Sequence, residues 1–236
     1  MVILRLDDIA EQLAPLRPRT GPFIIGITGS VAVGKSTMAQ ALAEHLRDDG
    51  ARVEVVGSDG FLFPNARLET LGLLNQKGAP ATYDHAAMGA ALATVRTAPA
   101  DFPTYSHVIY DIDPALTRKI APPDVLILEG LALRDPRTGP PELLDALVYM
   151  EAAEADLERW YVARFIELWD AAEHDPRSFY ARFRHMNREE IDAFARMVWR
   201  EVNLKNLHEH IVHARPRSDL ILAKAADHAI ASVTRP

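Results

Sequence analysis

The chain has 236 residues, 48% of them apolar and 25% charged, with a formal net charge of −7 and no cysteine. That length can bury the core of one large α/β domain, and the missing cysteines exclude disulfides, thiolate zinc sites and thiol catalysis. The acidic balance gives no broad footprint for nucleic acid or an anionic membrane surface, and no apolar run approaches the roughly 18 residues of a membrane span.

Residues 1–22 read as a short helix and a linker, because Pro15, Pro18 and Pro22 break any longer helix. Arg5, Asp7 and Asp8 interrupt any secretory apolar core, so a cytoplasmic location is expected. Phe23-Ile24-Ile25-Gly26-Ile27 reads as a buried strand. The next segment, Gly29-Ser30-Val31-Ala32-Val33-Gly34-Lys35-Ser36, fits G-x-x-x-x-G-K-[ST] at every fixed position. Thr37 to Arg47 reads as a helix that ends near Gly50. Strand, glycine loop and helix N-terminus together aim backbone N–H groups and a partial positive charge at one anion. Lys35 can reach the outer phosphates, and the Ser36 hydroxyl suits Mg²⁺. A bound nucleoside triphosphate is therefore expected, rather than a plain turn with an exposed lysine.

Arg52 to Gly57 alternates and is β-branched, which predicts a second strand. Asp59 follows it, where open α/β sheets build their sites, and a carboxylate there can accept the proton of an attacking hydroxyl. Asp59-Gly60 is also a common turn pair. Residues 64–84 read as an irregular loop, and Ala86 to Arg96 as a helix. Residues 102–120 suggest short strands or a hairpin. Within them Tyr105, His107 and Tyr110 form a dense hydrogen-bonding cluster that suits either a polar substrate or a solvent-facing strand. Asp124 to Glu129 is an apolar strand ending in a carboxylate, where a P-loop enzyme holds Mg²⁺ or its waters. Leu143 to Glu151 contains another short strand.

From Ala152 to about His213 the pattern is helical, broken near Asp175-Pro176, and reads as a helical cap over 152–213. Trp160 and Arg164 are i,i+4 neighbours there; the arginine suits either a transferring phosphate or a plain surface position. Asp219 to Ala223 predicts a last strand, and Ala225 to Val233 a closing helix. The alternation predicts an α/β fold: a P-loop NTPase with three α/β/α layers and a mainly parallel, five-stranded central sheet, as one domain over 23–236. The nine histidines show no metal-ligating spacing. No N-K-x-D motif appears, which argues against a GTPase switch.

The chain resembles prokaryotic type I pantothenate kinases, P-loop kinases related to uridine kinase and phosphoribulokinase. The matching segments are G-S-V-A-V-G-K-S-T (29–37), S-D-G-F-L-F-P-N (58–65), K-G-A-P-A-T-Y-D (77–84), Y-S-H-V-I-Y-D (105–111), D-V-L-I-L-E-G-L (124–131), W-Y-V-A-R-F (160–165), W-R-E-V-N-L-K-N-L (199–207) and L-I-L-A-K-A-A-D-H-A (220–229). The resemblance implies ATP- and Mg²⁺-dependent phosphorylation of pantothenate to 4′-phosphopantothenate, the first step of coenzyme A biosynthesis. It implies Asp59 as general base, with Lys35 and Arg164 on the phosphates. Tyr105, His107, Tyr110, Tyr161 and Asn203 would line the pantothenate site, residues 29–37 would hold the nucleotide phosphates, Lys224 and His228 would flank the adenine, and Ser36 and Glu129 would serve Mg²⁺. It also implies a homodimer, with coenzyme A as a feedback ligand.

Four departures stand beside the resemblance. The phosphate loop comes earlier than in typical members, so most of an N-terminal helical extension is expected to be missing. Gln40 replaces a common arginine that helps hold coenzyme A, which leaves feedback open. Ala132 replaces the asparagine of E-G-L-N, and Leu168 replaces an aromatic wall. These keep open another small hydroxyl acceptor: a nucleoside such as uridine, or a sugar or polyol acid.

Overall fold

The computed structural model describes residues 6–131, 133 and 143–236. The helix α1 (Leu6–Leu13) buries Ile9 and Leu13 and packs on the helix that follows the first strand, where the Asp7 carboxylate lies 3.3 Å from His45 Nε2. Every residue of β1 (Phe23–Gly29) is buried, as expected of a strand covered on both faces. The helix α2 (Lys35–Asp48) follows, and Gly50 ends it with a φ of 89°. After β2 (Val53–Gly57), the stretch expected as an irregular loop holds a short helix, α3 (Asn65–Thr70), and tight turns at Leu74–Gln76 and Pro80–Thr82. Asp84 caps α4 (His85–Thr94) by accepting from the Ala87 N–H at 2.9 Å.

Strands β3 (Ala100–Ser106) and β4 (Asp111–Ile120) form an antiparallel hairpin that is a sheet of its own. The chain returns to the main sheet with β5 (Val125–Gly130) and β6 (Ala146–Glu151). Then come α5 (Glu154–Ala171), α6 (Arg188–Val198), a π-helical stretch at Trp199–Leu204, and α7 (Lys205–Glu209). Asn187 and Glu190 close a capping box at the start of α6. Val162, Phe165, Ile166 and Trp169 pack against Ile191 and Ala195, a small core between α5 and α6 separate from the main one.

The main sheet ends with β7 (Leu220–Lys224) and β8 (Ile230–Thr234); its order is β2-β5-β1-β6-β7-β8. The first five in that order run parallel, as expected, with α2 packed against β1, β2 and β5 in the three-layer α/β/α arrangement. The sixth strand corrects the reading of Ala225–Val233 as a helix: β8 runs antiparallel to β7. Alanines there favour a helix, but Asp227 accepts from the Ala229 N–H at 3.0 Å, and His228 adopts a φ of 68°. This turn chemistry reverses the chain, and the β-branched Ile230, Val233 and Thr234 complete the strand.

Candidate active site

Sheet register sets the first part of the site. Glu129 of β5 lies opposite Ile27 of β1 on one side and Gly57 of β2 on the other. The loop after β1 and the turn after β2 therefore leave the sheet next to Glu129, at the carboxyl ends of parallel strands. Gly130 lets them come this close: a Cβ there would overlap the Ser58 side chain.

In the phosphate loop, Ala32 and Gly34 hold φ values of 64° and 92°, and Gly34 opens α2. The Lys35 ammonium is buried and donates to the carbonyls of Ser30 at 2.8 Å and Gly29 at 3.2 Å. Burial pushes its pKa down, while the charges of Glu129 and Asp59 push it back up. The Ser36 hydroxyl donates to Glu129 Oε1 at 3.0 Å. Burial raises the pKa of Glu129, and the nearby Lys35 opposes that. A hydroxyl and a carboxylate at this spacing are the oxygen donors a hard divalent cation takes alongside nucleotide phosphates. No cluster of three or more His, Asp or Glu side chains suited to a metal occurs among the described residues, so such an ion would lean on the nucleotide.

The second part is a cavity of about 180 Å³. Val31 of the phosphate loop and Asp59 share its wall with Tyr105, His107, Tyr110, Tyr161, Arg164 and Asn203. Every acceptor-site residue singled out from the sequence thus faces one space, although they come from the β2 turn, the β3–β4 hairpin, α5 and the π-helical stretch. Leu168 lines it too; Ala132 lies outside the described residues, and Gln40 is exposed on α2. Burial raises the pKa of Tyr105, Tyr110 and Tyr161, Tyr110 up to about 12, so all three phenols keep their protons at neutral pH. Burial lowers the pKa of His107.

Sequence reasoning gave no role to Lys77 or Tyr83, although both lie in the quoted 77–84 segment. Lys77 sits 4.7 Å from the ring centres of both Tyr105 and Tyr110 and donates to Asn65 Oδ1 at 2.6 Å and to the Tyr110 carbonyl at 2.7 Å. Burial lowers its pKa to about 8, against the raising effect of Asp111 and Asp59. Tyr83 is buried and donates to Asp59 Oδ1 at 2.8 Å. Tyr180 also lines the cavity.

A third cluster adjoins the phosphate loop. Lys224 donates to the Val33 carbonyl at 3.1 Å, with its ammonium 5.3 Å from the Trp160 ring centre. The ring of His228 stacks on the other component of this cluster, Trp160, at 4.1 Å. Lys224 and His228, paired by the sequence reading, thus meet at one indole.

Residues 24–161 match the model of the Phosphoribulokinase / Uridine kinase family. Over 242 residues the chain is 43% identical to a pantothenate kinase from Bradyrhizobium sp. (strain ORS 278), covering 97% of this chain and 76% of that protein. A pantothenate kinase from Leifsonia xyli subsp. xyli is 42% identical over 238 residues, covering 97% and 74%. Among solved structures, a putative fructose transport system kinase from Silicibacter sp. TM1040 superposes with a TM-score of 0.71 at 24% identity, covering 87% of this chain and 93% of that one. Phosphoribulokinase from Rhodobacter spheroides gives a TM-score of 0.58 at 14% identity, covering 87% and 71%. These two likenesses concern the fold.

Proposed function

This chain belongs to the phosphoribulokinase/uridine kinase family and, within it, to the pantothenate kinases, and from that premise we propose how its own residues carry the reaction. The enzyme is a kinase that phosphorylates pantothenate to 4′-phosphopantothenate, the first step of coenzyme A biosynthesis. One observation carries the assignment of residues: Val31 of the phosphate loop and Asp59 border the same cavity as the six polar residues around it.

In this reading the nucleotide is ATP. Residues 29–37 cradle its phosphates, and Lys224 and His228 flank the adenine beside Trp160. Ser36 and Glu129 would hold Mg²⁺, which would supply neutralising charge to the phosphate oxygens. Tyr105, His107, Tyr110, Tyr161 and Asn203 orient pantothenate, and the Lys77 ammonium faces its carboxylate. Asp59 takes the proton of the primary hydroxyl as that oxygen bonds to the terminal phosphorus and the bond to the ADP oxygen breaks. Lys35 and Arg164 carry the charge on the transferred group. Positioning supplies most of the rate.

Residues 23–236 work as one kinase domain with 152–213 as its cap, in the cytoplasm, as a homodimer. Sedimentation equilibrium tests the dimer. Release of ADP, followed with pantothenate, uridine, glycerate and no acceptor in parallel, tests the acceptor. Replacing Asp59 with Ala is expected to lower kcat by roughly 10²-fold or more with ATP affinity retained. Near-normal turnover of that variant would remove Asp59 from the mechanism.

A further inference from the structure

We propose that Tyr83 is a positioning residue for the phosphoryl-transfer step: its hydroxyl holds Oδ1 of Asp59 and so presents Oδ2 to the acceptor's hydroxyl. The inference rests on the reading of Asp59 as the general base.

Geometry carries it. Asp59 sits on a single turn, Ser58–Phe61, and a free carboxylate there would rotate about χ1 and χ2. The Tyr83 hydroxyl lies 2.8 Å from Oδ1, and no other hydrogen bond holds the Asp59 side chain among the described residues. Tyr83 itself cannot drift. The Phe63 N–H donates to the Thr82 carbonyl at 2.8 Å, and the Asp84 N–H to the Phe61 carbonyl at 2.7 Å. Leu62 and Tyr83 form an isolated antiparallel bridge between those bonds. The backbone carrying the tyrosine is thus stitched to the backbone that continues from Asp59, which sets the distance between phenol and carboxylate.

The phenol is a dedicated donor. Burial first, and then the charge of Asp59, raises its pKa well above the ordinary tyrosine value, so it keeps its proton. The Ser58 hydroxyl lies close enough to act on the phenol in the opposite sense, though it makes no hydrogen bond of good geometry. Tyr83 does not line the acceptor cavity. Its effect must therefore pass through Asp59 rather than through contact with substrate.

A merely structural tyrosine and a positioning one differ in two readouts. Tyr83→Phe is expected to lower kcat roughly ten- to hundredfold while pantothenate KM and ATP affinity stay within about threefold. In single turnovers on an Asp59→Ala background, the same substitution is expected to cause no further loss, because the group it acts through is gone. A kcat within twofold of the parent, or an equal loss on both backgrounds, overturns the proposal. Undiminished turnover of Asp59→Ala alone instead overturns the reading beneath it, whatever Tyr83→Phe does. Should Tyr83→Phe not fold, p-aminophenylalanine and p-methylphenylalanine at position 83 replace it. Both fill the hydroxyl's space, but only the first donates. A clear kcat advantage for the amino ring is expected, and equal rates for the two rings overturn the proposal.

Discussion

Lys77 combines a charge with a cost. Its ammonium lies between two tyrosine rings and two carboxylates, Asp111 and Asp59, and burial still lowers its pKa to about 8. The consequence for stability has a definite sign. Between about pH 8 and the ordinary lysine value of 10.5, the unfolded chain keeps a proton that the folded chain has released. Folding stability from this group therefore rises with pH through that window, and below about pH 8, where both states hold the proton, the cost of burying the ammonium is fully present and no longer changes with pH. In the role proposed for Lys77 function runs the other way, because the protonated form is the one that would hold an anionic acceptor. Pantothenate KM is expected to rise by up to about tenfold between pH 7 and pH 9, and Lys77→Arg, whose charge persists, to flatten that rise. A KM flat with pH in the parent enzyme would take Lys77 out of carboxylate recognition.

At the scale of elements, one close approach joins Asp59, the proposed base, to the wall of the cavity. A Cβ at Gly60 would run into the Pro103 carbonyl, so the turn bearing Asp59 lies directly on β3, the strand that carries Tyr105. Gly60→Ala is expected to destabilise the fold by about 1–3 kcal/mol and to reduce kcat/KM for pantothenate far more than ATP affinity. Thermal unfolding and paired binding assays measure the two effects. The same scale shows what is legible before folding. The strands β1 and β5 read plainly, since each is a continuous apolar run between turn signals. The stretch 225–233 did not, because alanine propensity concealed a hairpin set by Asp227 and His228. Asp59, Glu129 and the tyrosine cluster were visible as residue types at strand ends or in dense polar runs. Lys77 and Tyr83 were not, because a loop without period gives no face. Their meaning depends on backbone bonds such as that from Phe63 to Thr82, which sequence spacing does not encode.

The whole molecule is acidic, with a net charge of −7, yet it gathers Lys35, Lys77, Arg164 and Lys224 around the phosphate loop and the acceptor cavity. Anionic substrates thus meet four cationic side chains, set beside Asp59 and Glu129, on an acidic molecule. Coenzyme A is a third anion to consider. Gln40, exposed on α2 one turn beyond Ser36, contributes no charge where the family resemblance calls for an arginine. Inhibition of turnover by coenzyme A is expected to be weak, and Gln40→Arg to strengthen it by roughly tenfold, about the value of one partly exposed charge-assisted contact. A coenzyme A titration of both proteins at fixed ATP checks this, and strong inhibition of the parent would contradict it. The hairpin of β3 and β4 is hydrogen-bonded into a sheet of its own, apart from the six strands that support the phosphate loop and Glu129. The hairpin therefore brings Tyr105, His107 and Tyr110 to the acceptor cavity on a support of its own, while Tyr161 and Asn203 reach the same cavity from the helical side: exchanging residues 100–120 for a relative's hairpin changes one wall of the acceptor space and leaves the strands beneath the phosphate loop as they are.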